Sequence, residues 1–433
     1  MSVVTAAVPP AEADPQGANL GTYARNYAAR VRGGEMGSLP AILGLIVLVV
    51  VFSILRPRFL TALNFANLFQ QGSAVVVIAM GLVFVLLLGE IDLSAGFASG
   101  VCAAVLAITL TNHHWPRYAA VLEPMLTGSW YAAVLAAMVT GLSIGTVLGL
   151  LVAKVGIPSF VVTLAAFLAF QGVNLLLLKD GTIVSVQDKT ILLIDFSGKL
   201  PPVWGWILLV LTVGVFGLVQ VMRRTRRLSN GLAADPMSVV IVRVGTMLLV
   251  LGAMVYVLNL NRAINPLLFT QEGVPVIIPI IGVLLIIWTF VLSRTAYGRH
   301  LYAVGGNQEA ARRAGINVDT IRISAFVICS SMAAIGGIIA ASRANSVDPN
   351  TGGSNVLLDA VGAAVIGGTS LFGGKGRVLD AILGGAIIAV IQNGMGLLGY
   401  KSGIQFVVTG IVLLLAASVD ALSRRRASTA GLR

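Results

Sequence analysis

Residues 72–90 read GSAVVVIAMGLVFVLLLGE, an almost unbroken apolar run. A helix of about 20 apolar residues crosses the roughly 30 Å of hydrocarbon in a bilayer. Runs of similar length and composition recur along the chain, for example at 130–152, 203–222 and 275–293. The sequence therefore predicts an all-α fold, a polytopic bundle of transmembrane helices.

The composition of the whole chain supports this prediction. Of its 433 residues, 57% are hydrophobic and 11% are charged, whereas soluble domains carry about 25% charged residues. The 29 basic residues outnumber the 17 acidic ones, which in a soluble chain would suggest nucleic acid as a partner. Here the basic residues lie at the ends of apolar runs, so membrane topology explains them and no nucleic-acid partner is expected.

We predict about twelve spans, with ten as the lower limit because two segments are weak. The segment at 95–111 follows its predecessor closely, and the segment at 356–372 is rich in glycine and polar residues. Either one could be a re-entrant or broken helix, which a membrane protein tolerates where protein covers the backbone. The predicted spans are 39–55, 72–90, 95–111, 130–152, 157–178, 203–222, 240–260, 275–293, 321–341, 356–372, 378–396 and 404–421.

The distribution of lysine and arginine predicts the orientation, because cytoplasmic loops carry the excess of these residues. With the N-terminus in the cytoplasm, 20 of the 29 basic residues lie inside and the remaining 9 lie outside. Both termini are therefore predicted to be cytoplasmic. Residues 1–38 lack the apolar core of a signal peptide and are expected to be a disordered tail. Residues 39–421 form the transmembrane domain, and residues 422–433 form a basic tail.

The sequence contains no pattern for catalysis, nucleotide binding or metal binding. Neither Gly198–Leu200 nor Gly374–Gly376 completes the glycine-rich phosphate-binding motif that ends in Gly-Lys-Ser/Thr. Cys102 and Cys329 lie inside apolar runs, and the three histidines match no metalloprotease pattern. We therefore expect no catalytic residues, no metal and no cofactor in this chain, and we do not expect it to be an enzyme.

The most informative loop lies between the spans 275–293 and 321–341. In it, Asn307 is a good helix N-cap, Glu309 places a negative charge at the helix start, and Gly315 is a C-terminal stop. The predicted helix has about two turns, too few to be stable alone. It could lie on its own bundle, or it could fit a groove on a soluble partner.

Three motifs in this order resemble one known family. They are GEIDLSAG at 89–96, AYGRHLYAVGGNQEAARRAGINV at 296–318 and LLDAVGAAVIGGTSLFGGKGRV at 357–378. Together they resemble the permease subunit of bacterial ATP-binding-cassette (ABC) importers for monosaccharides, in the branch that serves ribose, xylose, arabinose and galactose. The resemblance extends from about residue 40 to 421. The polar insert at 223–236 and an added pair of spans are most like the xylose-type permeases.

This resemblance implies partners and a mechanism. Two permease subunits, expected to be identical, would form the pathway for a monosaccharide in the lipid of the bacterial cell membrane. Xylose is the expected sugar. A separate ATPase would bind ATP and Mg²⁺, and an extracytoplasmic binding protein would deliver the sugar. The resemblance assigns the ATPase-coupling helix to Gly305, Gly306, Asn307, Gln308, Glu309, Ala310, Ala311, Arg312, Arg313, Ala314 and Gly315.

Several acids lie at the membrane boundary. Asp92 and Ser94 match the family signature, whereas Glu90 occupies its variable position. Residues two apart on a helix point about 200° away from each other, so Glu90 and Asp92 are not expected to act as one pair. Asp92 is expected to cap or pack the next span, with gating as the alternative. Asp359 matches the acid of the third motif and is expected to be a structural cap, again with gating as the alternative.

Two pairs of amides lie inside predicted spans: Gln171 with Asn174, and Gln392 with Asn393. Amides can bond sugar hydroxyls without carrying charge, so these residues could line a sugar pathway. They could equally bond one helix to another, which is the role we favour. The alternative to the importer is an independent secondary transporter. That class normally has an acid or an unwound ion site at mid-membrane, and no lone acid lies securely in the middle of a predicted span.

Overall fold

The computed structural model describes residue 21 and residues 37–111, 128–179, 181–232, 234–263, 265 and 270–429. Most of the predicted N-terminal tail and of the outer connection 112–129 lies outside these residues. Within them the chain is all-α apart from four two-residue strands, as predicted. The last helix continues to Thr429 and so includes residues 422–429 of the predicted basic tail. The cytoplasmic position of the tail stays a prediction.

Helices occupy all twelve predicted spans, and three further helices lie in loops. In chain order the elements are α1 Leu39–Leu55, α2 Ala62–Leu87, α3 Ala95–Leu110, α4 Trp130–Leu150, α5 Ser159–Leu177, β1 Val184–Ser185, α6 Lys189–Asp195, β2 Lys199–Leu200, α7 Pro202–Ser229, α8 Met237–Asn259, β3 Val274–Pro275, α9 Ile277–Arg294, α10 Ala296–Gly306, α11 Gln308–Arg313, α12 Val318–Ala344, β4 Ser346–Val347, α13 Ser354–Gly367, α14 Val378–Leu397 and α15 Ser402–Thr429. A short 3₁₀ helix, Pro57–Leu60, precedes α2, and a π-helical turn, Leu151–Val155, continues α4.

Eight of the described helices are long and apolar enough to cross a membrane: α2, α4, α5, α7, α8, α9, α12 and α14. In the other four predicted spans the apolar helical stretches are shorter: Leu39–Leu55, Ala95–Leu110, Asn355–Gly367 and, within the longer helix α15, Ser402–Leu415. Among them are both segments that the sequence marks as weak: α3 is about 24 Å long and α13 about 21 Å. Both are shorter than the hydrocarbon layer, so the total of twelve spans stays a prediction.

The core of the bundle is built around α12, which packs against α2, α3 and α4. The helices α13 and α14 pack against each other and against α2. In contrast, α7 and α8 pair mainly with each other, and only 17% of the most apolar stretch of each is buried. The α7–α8 hairpin therefore lies at the periphery, with most of its apolar surface available to lipid.

Glycines spaced four apart allow α4 to approach α12 closely. A Cβ atom at Gly141 would lie 2.7 Å from the backbone carbonyl oxygen of Ser330, and one at Gly145 would lie 2.5 Å from that of Phe326. At Gly149 it would lie 2.8 Å from the Cα atom of Ile323. Helices in lipid associate through such close backbone contact at small residues. The spacing Gly141–Gly145–Gly149 therefore seats α4 on the core.

The loops meet in two groups, which agree with their predicted sides. At the predicted inner side, Lys154 Nζ lies 3.0 Å from Asp319 Oδ2, and the backbone N–H of Gly374 donates to the carbonyl of Leu87 at 2.8 Å. At the predicted outer side, β1 pairs with β4 and β2 pairs with β3, both antiparallel. The assignment of one group to the cytoplasm stays a prediction.

The outer connection between α5 and α7 contains a docked helix that the sequence did not predict. Asp195 ends this helix, α6; its backbone N–H donates to Ser342 Oγ at 3.0 Å, and its carboxylate accepts from Ser73 Oγ at 2.7 Å. Burial raises the pKa of Asp195 to about 7, while the Ser73 hydrogen bond and the charge of Arg343 oppose the shift. Asp195 thus joins α6 to α2 through its carboxylate and to α12 through its backbone N–H, at the predicted outer side.

Replacing Gly145 by Leu should destabilise the protein, because the new side chain meets the α12 backbone. Overpacking of a core costs about 1–3 kcal/mol or more, so the melting temperature in detergent should fall clearly. Gly172→Leu on α5 is the matched control, since nothing lies within 4 Å of a Cβ there. Equal melting temperatures for the two variants would contradict the close α4–α12 contact.

The single variants Ser229→Cys and Thr182→Cys should react with an impermeant thiol reagent from opposite sides of the membrane. Both positions are exposed, Ser229 at the end of α7 and Thr182 after α5. The native thiols of Cys102 and Cys329 are buried and should contribute little background. We expect Ser229→Cys to be labelled only after the cells are permeabilised, and Thr182→Cys to be labelled in intact cells. Labelling of both variants in intact cells would refute the predicted topology between the two positions.

Candidate functional site

A continuous run of capped helices connects α9 to α12 at the predicted inner side. The hydroxyl of Thr295 accepts from the backbone N–H of Gly298 at 3.3 Å and starts α10 immediately after α9 ends. The apolar residues Leu301 and Val304 of α10 are buried. At the far end, the side chain of Asn317 accepts from the backbone N–H of Thr320 at 3.1 Å and starts α12. The orientation of this segment is therefore fixed at both ends.

The predicted loop helix is present as α11, with the predicted caps. Asn307 Oδ1 accepts from the backbone N–H of Ala310 at 2.9 Å, and Glu309 lies in the first turn. Gly315 ends the helix with a φ of +83°, where a residue without Cβ is favoured. The backbone N–H of Gly315 donates to Arg312 and that of Ile316 to Ala311, the paired bonds of a glycine-terminated helix.

Gly305 and Gly306 do not belong to this helix, which corrects one boundary of the predicted coupling segment. They form the last turn of α10, and Asn307 between the helices is extended, with φ −159° and ψ 105°. Gly305 is instead a packing position. A Cβ there would lie 1.8 Å from the carbonyl oxygen of Leu87 and 3.0 Å from the backbone nitrogen of Gly374.

α11 presents most of its surface to solvent. Ala311 is its one buried residue and faces the bundle. Glu309 and Arg312 are exposed and lie 3.3 Å apart as an ion pair, which contributes little to stability at such a site. Arg313 and Ala314 are also exposed. α11 is a six-residue helix that is capped at both ends and exposes its polar face. This face is available to a partner.

The end of α10 is clamped by two other parts of the chain. Gly374 lies in a glycine-rich turn between α13 and α14, and its N–H donates to Leu87 at the end of α2. The hydroxyl of Tyr302 on α10 donates to the carbonyl of Gly376 in the same turn at 2.6 Å. The turn has positive φ at Gly373, Gly374 and Gly376, a conformation that glycine adopts without steric cost. α10 is therefore in direct contact with the end of α2 and with the turn that joins α13 to α14.

Glu90 and Asp92 have separate partners, as their spacing predicts. Glu90 Oε1 forms a 2.5 Å ion pair with Arg322 on α12, both side chains being largely buried. Sequence reasoning assigned Glu90 no role and missed this pair, since nothing in the sequence relates positions 232 residues apart. Asp92 is buried, and its Oδ1 accepts from the backbone N–H of Ser94 at 2.9 Å and from Ser94 Oγ at 2.6 Å. Asp92 thus holds the turn that leads into α3, but the N-cap residue of α3 is Ser94. The alternative, a gating role for Asp92, stays a prediction.

Asp359 does not cap a helix, contrary to our expectation. It is the sixth residue of α13, and its Oδ2 accepts from the side-chain amide of Gln392 on α14 at 2.7 Å. The neighbouring Asn393 exchanges two 2.9 Å hydrogen bonds with Asn64 and donates to Gln71 at 3.0 Å, both on α2. Gln392 and Asn393 therefore bond helix to helix, the role favoured from the sequence.

Gln171 and Asn174 on α5 are not brought into that network. Gln171 is exposed, whereas Asn174 is fully buried and both of its side-chain polar atoms lack a hydrogen-bond partner among the described residues. Asn174 lies beside Gly100 on α3, where a Cβ would be 2.5 Å from its Nδ2. Thus the four amides considered for a sugar pathway do not converge on one site. Within the part of the chain that the structure describes, no group of three His, Cys, Asp or Glu side chains could hold a metal ion.

Comparison with known proteins identifies the family. The family model described as "Branched-chain amino acid transport system / permease component" matches residues 64–417. The chain belongs to this permease family. This match confirms the resemblance to permease subunits that the three sequence motifs indicate. The permease is a multi-pass membrane protein.

Several curated relatives cover most of the permease. The xylose transport system permease protein XylH of Escherichia coli (strain K12) is 38% identical over 374 residues, 85% of this chain and 87% of that protein. XylH of Haemophilus influenzae is 33% identical over 390 residues, 89% and 96% of the two chains. The ribose import permease protein RbsC of E. coli (strain K12) is 30% identical over 380 residues, 88% and 92%. No solved structure matches the permease.

Proposed function

We propose that this permease forms the membrane pathway of an ABC importer for a monosaccharide, xylose in the first instance, and that it acts as a homodimer. The xylose permeases at 33% and 38% identity and the ribose permease at 30% support the sugar class and this order of preference. The family also includes branched-chain amino acid permeases by its description. The substrate is therefore a matter for direct measurement.

The observation that carries the proposal is the exposed, doubly capped helix α11. The chain has no nucleotide-binding motif, so a separate ATPase, holding ATP and Mg²⁺, would supply the energy. α11 would seat in a groove of that ATPase, with Glu309, Arg312 and Arg313 facing the partner. Closure of the ATPase around ATP would then displace α11 together with α10.

The clamp at Gly305 provides the route for that displacement into the membrane. α10 touches the end of α2 at Leu87 and the turn at Gly374, and α11 leads directly into α12. The pair Glu90–Arg322 fastens the ends of α2 and α12 to each other. Displacement of α11 would thus move α2, α12 and α14 together. This movement would switch the pathway between its outward-facing and inward-facing states. An extracytoplasmic binding protein would deliver the sugar at the opposite side, where α6 and the two strand pairs lie.

The decisive measurement is ATP hydrolysis by the permease in nanodiscs, together with an ATPase and a binding protein encoded beside it. A panel of monosaccharides headed by D-xylose, each with and without the binding protein, identifies the substrate. We expect hydrolysis to be stimulated only by sugar-loaded binding protein, and most by xylose. If no ATPase associates and the permease alone carries sugar into proteoliposomes, it is a secondary transporter and the importer proposal is wrong.

Variants of α11 should separate coupling from folding. Gly315→Pro cannot adopt the positive φ of this position, and Glu309→Lys reverses the charge at the helix start. Both variants should reduce ATP-driven uptake about tenfold or more. The permease should still insert, and its melting temperature should stay within a few degrees of that of the unsubstituted protein.

Gly315→Asn is the matched control, because Asn tolerates the left-handed conformation. It should retain most of the uptake. Normal uptake by Gly315→Pro and Glu309→Lys, measured with radiolabelled sugar in vesicles, would show that α11 only packs on its own bundle.

A further inference from the structure

A strongly basic cavity lies where the peripheral α7–α8 hairpin meets the end of α9. The cavity has a volume of about 520 Å³. Its lining carries one carboxylate, that of Asp235, against six guanidinium groups: Arg223, Arg224, Arg226, Arg227, Arg243 and Arg294. The topology rule explains why basic residues face the cytoplasm, but it does not require them to converge on one cavity.

Most of this charge has no ion-pair partner among the described residues. Asp235 Oδ2 lies 2.9 Å from Arg243, and its backbone carbonyl accepts from Arg224 at 3.1 Å. Over the described part of the chain, no ion pair is formed by the other four arginines, Arg223, Arg226, Arg227 and Arg294. Arg223 and Arg294 are close enough for their charges to repel each other. Such an arrangement is stabilised by a bound anion.

An apolar groove lies next to the cavity, between the same two helices. The groove has a volume of about 350 Å³, is lined only by apolar residues and glycine, and shares Val240 with the arginine cavity. Along α7 it begins at Gly217, and Arg224 follows about 10 Å further on. On α8, Met237 and Ile241 are exposed along its rim. An apolar groove beside a basic cavity, at the predicted membrane boundary, matches one chemical class, an acyl chain attached to an anionic headgroup.

We propose that this hairpin binds an anionic phospholipid, with its phosphate among the arginines and an acyl chain in the groove. Arginine recognises phosphate through paired N–H donors, and basic pockets between transmembrane helices bind anionic lipid headgroups. Charge complementarity and the adjacency of cavity and groove select a lipid over a soluble phosphate, which would leave the groove empty. The site does not depend on the identity of the transported solute.

The bound lipid joins the hairpin to the segment that leads to α11. Arg223 and Arg227 belong to α7 and Arg243 to α8, whereas Arg294 is the last residue of α9 and directly precedes the Thr295 cap of α10. A phosphate in the cavity removes the repulsion between Arg223 and Arg294. The lipid thus ties the hairpin, which otherwise pairs mainly with itself, to α9.

The test uses the purified full-length permease, freed of anionic lipid and held in a neutral detergent. Dioleoyl phosphatidylglycerol, dioleoyl phosphatidylcholine and inorganic phosphate at matched ionic strength are added separately. Bound lipid is measured by native mass spectrometry and the melting temperature by thermal shift. We expect phosphatidylglycerol alone to be retained and to raise the melting temperature. Equal retention of phosphatidylcholine, or an equal rise with inorganic phosphate, would overturn the proposal.

Two kinds of variant locate the lipid. The double variant Arg223→Gln with Arg227→Gln should weaken phosphatidylglycerol binding about thirtyfold. The matched control, Arg299→Gln with Lys375→Gln, removes the same number of charges from positions outside the cavity and should change binding less than about twofold. Arg226→Gln with Arg294→Gln is a second, independent pair should the first fold poorly. Equal losses for cavity and control pairs would mean unspecific charge attraction and would overturn the site.

Gly245→Leu tests the groove separately from the arginines. Nothing lies within 4 Å of a Cβ at this position, so the new side chain should fill the groove without disturbing α8. We expect it to weaken retention of phosphatidylglycerol at least about fivefold while all six arginines remain. Unchanged retention would show that the cavity holds a phosphate group without a seated chain, contrary to the proposal.

Discussion

Close contact between helix backbones at glycine is the interaction on which this bundle depends. Apolar side chains gain little by leaving lipid for the protein interior, so helices in a membrane associate through tight packing and hydrogen bonds. The contact of α4 with α12 at Gly141, Gly145 and Gly149 meets this requirement along successive turns. The core formed by α2, α3, α4 and α12 is consequently dense, whereas α7 and α8 touch it little and face lipid.

The same kind of close backbone contact joins three parts of the chain at the predicted inner end of the bundle, and we call this contact the junction. At Gly305, where a side chain cannot fit, the end of α10 meets both the carbonyl end of α2 and the turn before α14. The buried pair Glu90–Arg322 then fastens α2 to α12. Removing one partner of a buried ion pair leaves an uncompensated charge. The junction should therefore be sensitive to substitution of either Glu90 or Arg322. α11, which we propose as the contact with a partner, is connected to this junction through α10 and to the core through α12.

Polar side chains inside the bundle mainly connect helices. Asn393 bonds to Asn64 and Gln71, and Gln392 bonds to Asp359, so α14 is linked to α2 on one side and to α13 on the other. Asn174 differs, because it is fully buried without a hydrogen-bond partner in the described part of the chain. Interhelical bonds of this kind contribute modestly, on average about 0.6 kcal/mol each. These hydrogen bonds determine which helices face each other more than they stabilise the folded bundle.

The sequence by itself determined the all-α membrane class, the positions of twelve apolar helices, the capped helix from Asn307 to Gly315 and the family. These features are local: apolar runs, cap residues and short motifs act over a few turns, and their physical effect does not depend on distant partners. The family resemblance also placed Gly305 and Gly306 in the coupling segment, whereas the structure places them in the last turn of α10, before the N-cap residue Asn307 that the sequence identifies.

Only the tertiary structure decided which residues meet. The pairs Glu90–Arg322 and Asp359–Gln392, the docking of α6 through Asp195, and the convergence of six arginines on one cavity all join residues from different helices. Their sequence separations carry no periodic signal, and a charge at a span end is explained equally well by topology. Helix positions follow from the local preference of the chain for lipid or water, whereas helix contacts follow from packing in three dimensions, which the order of residues does not display.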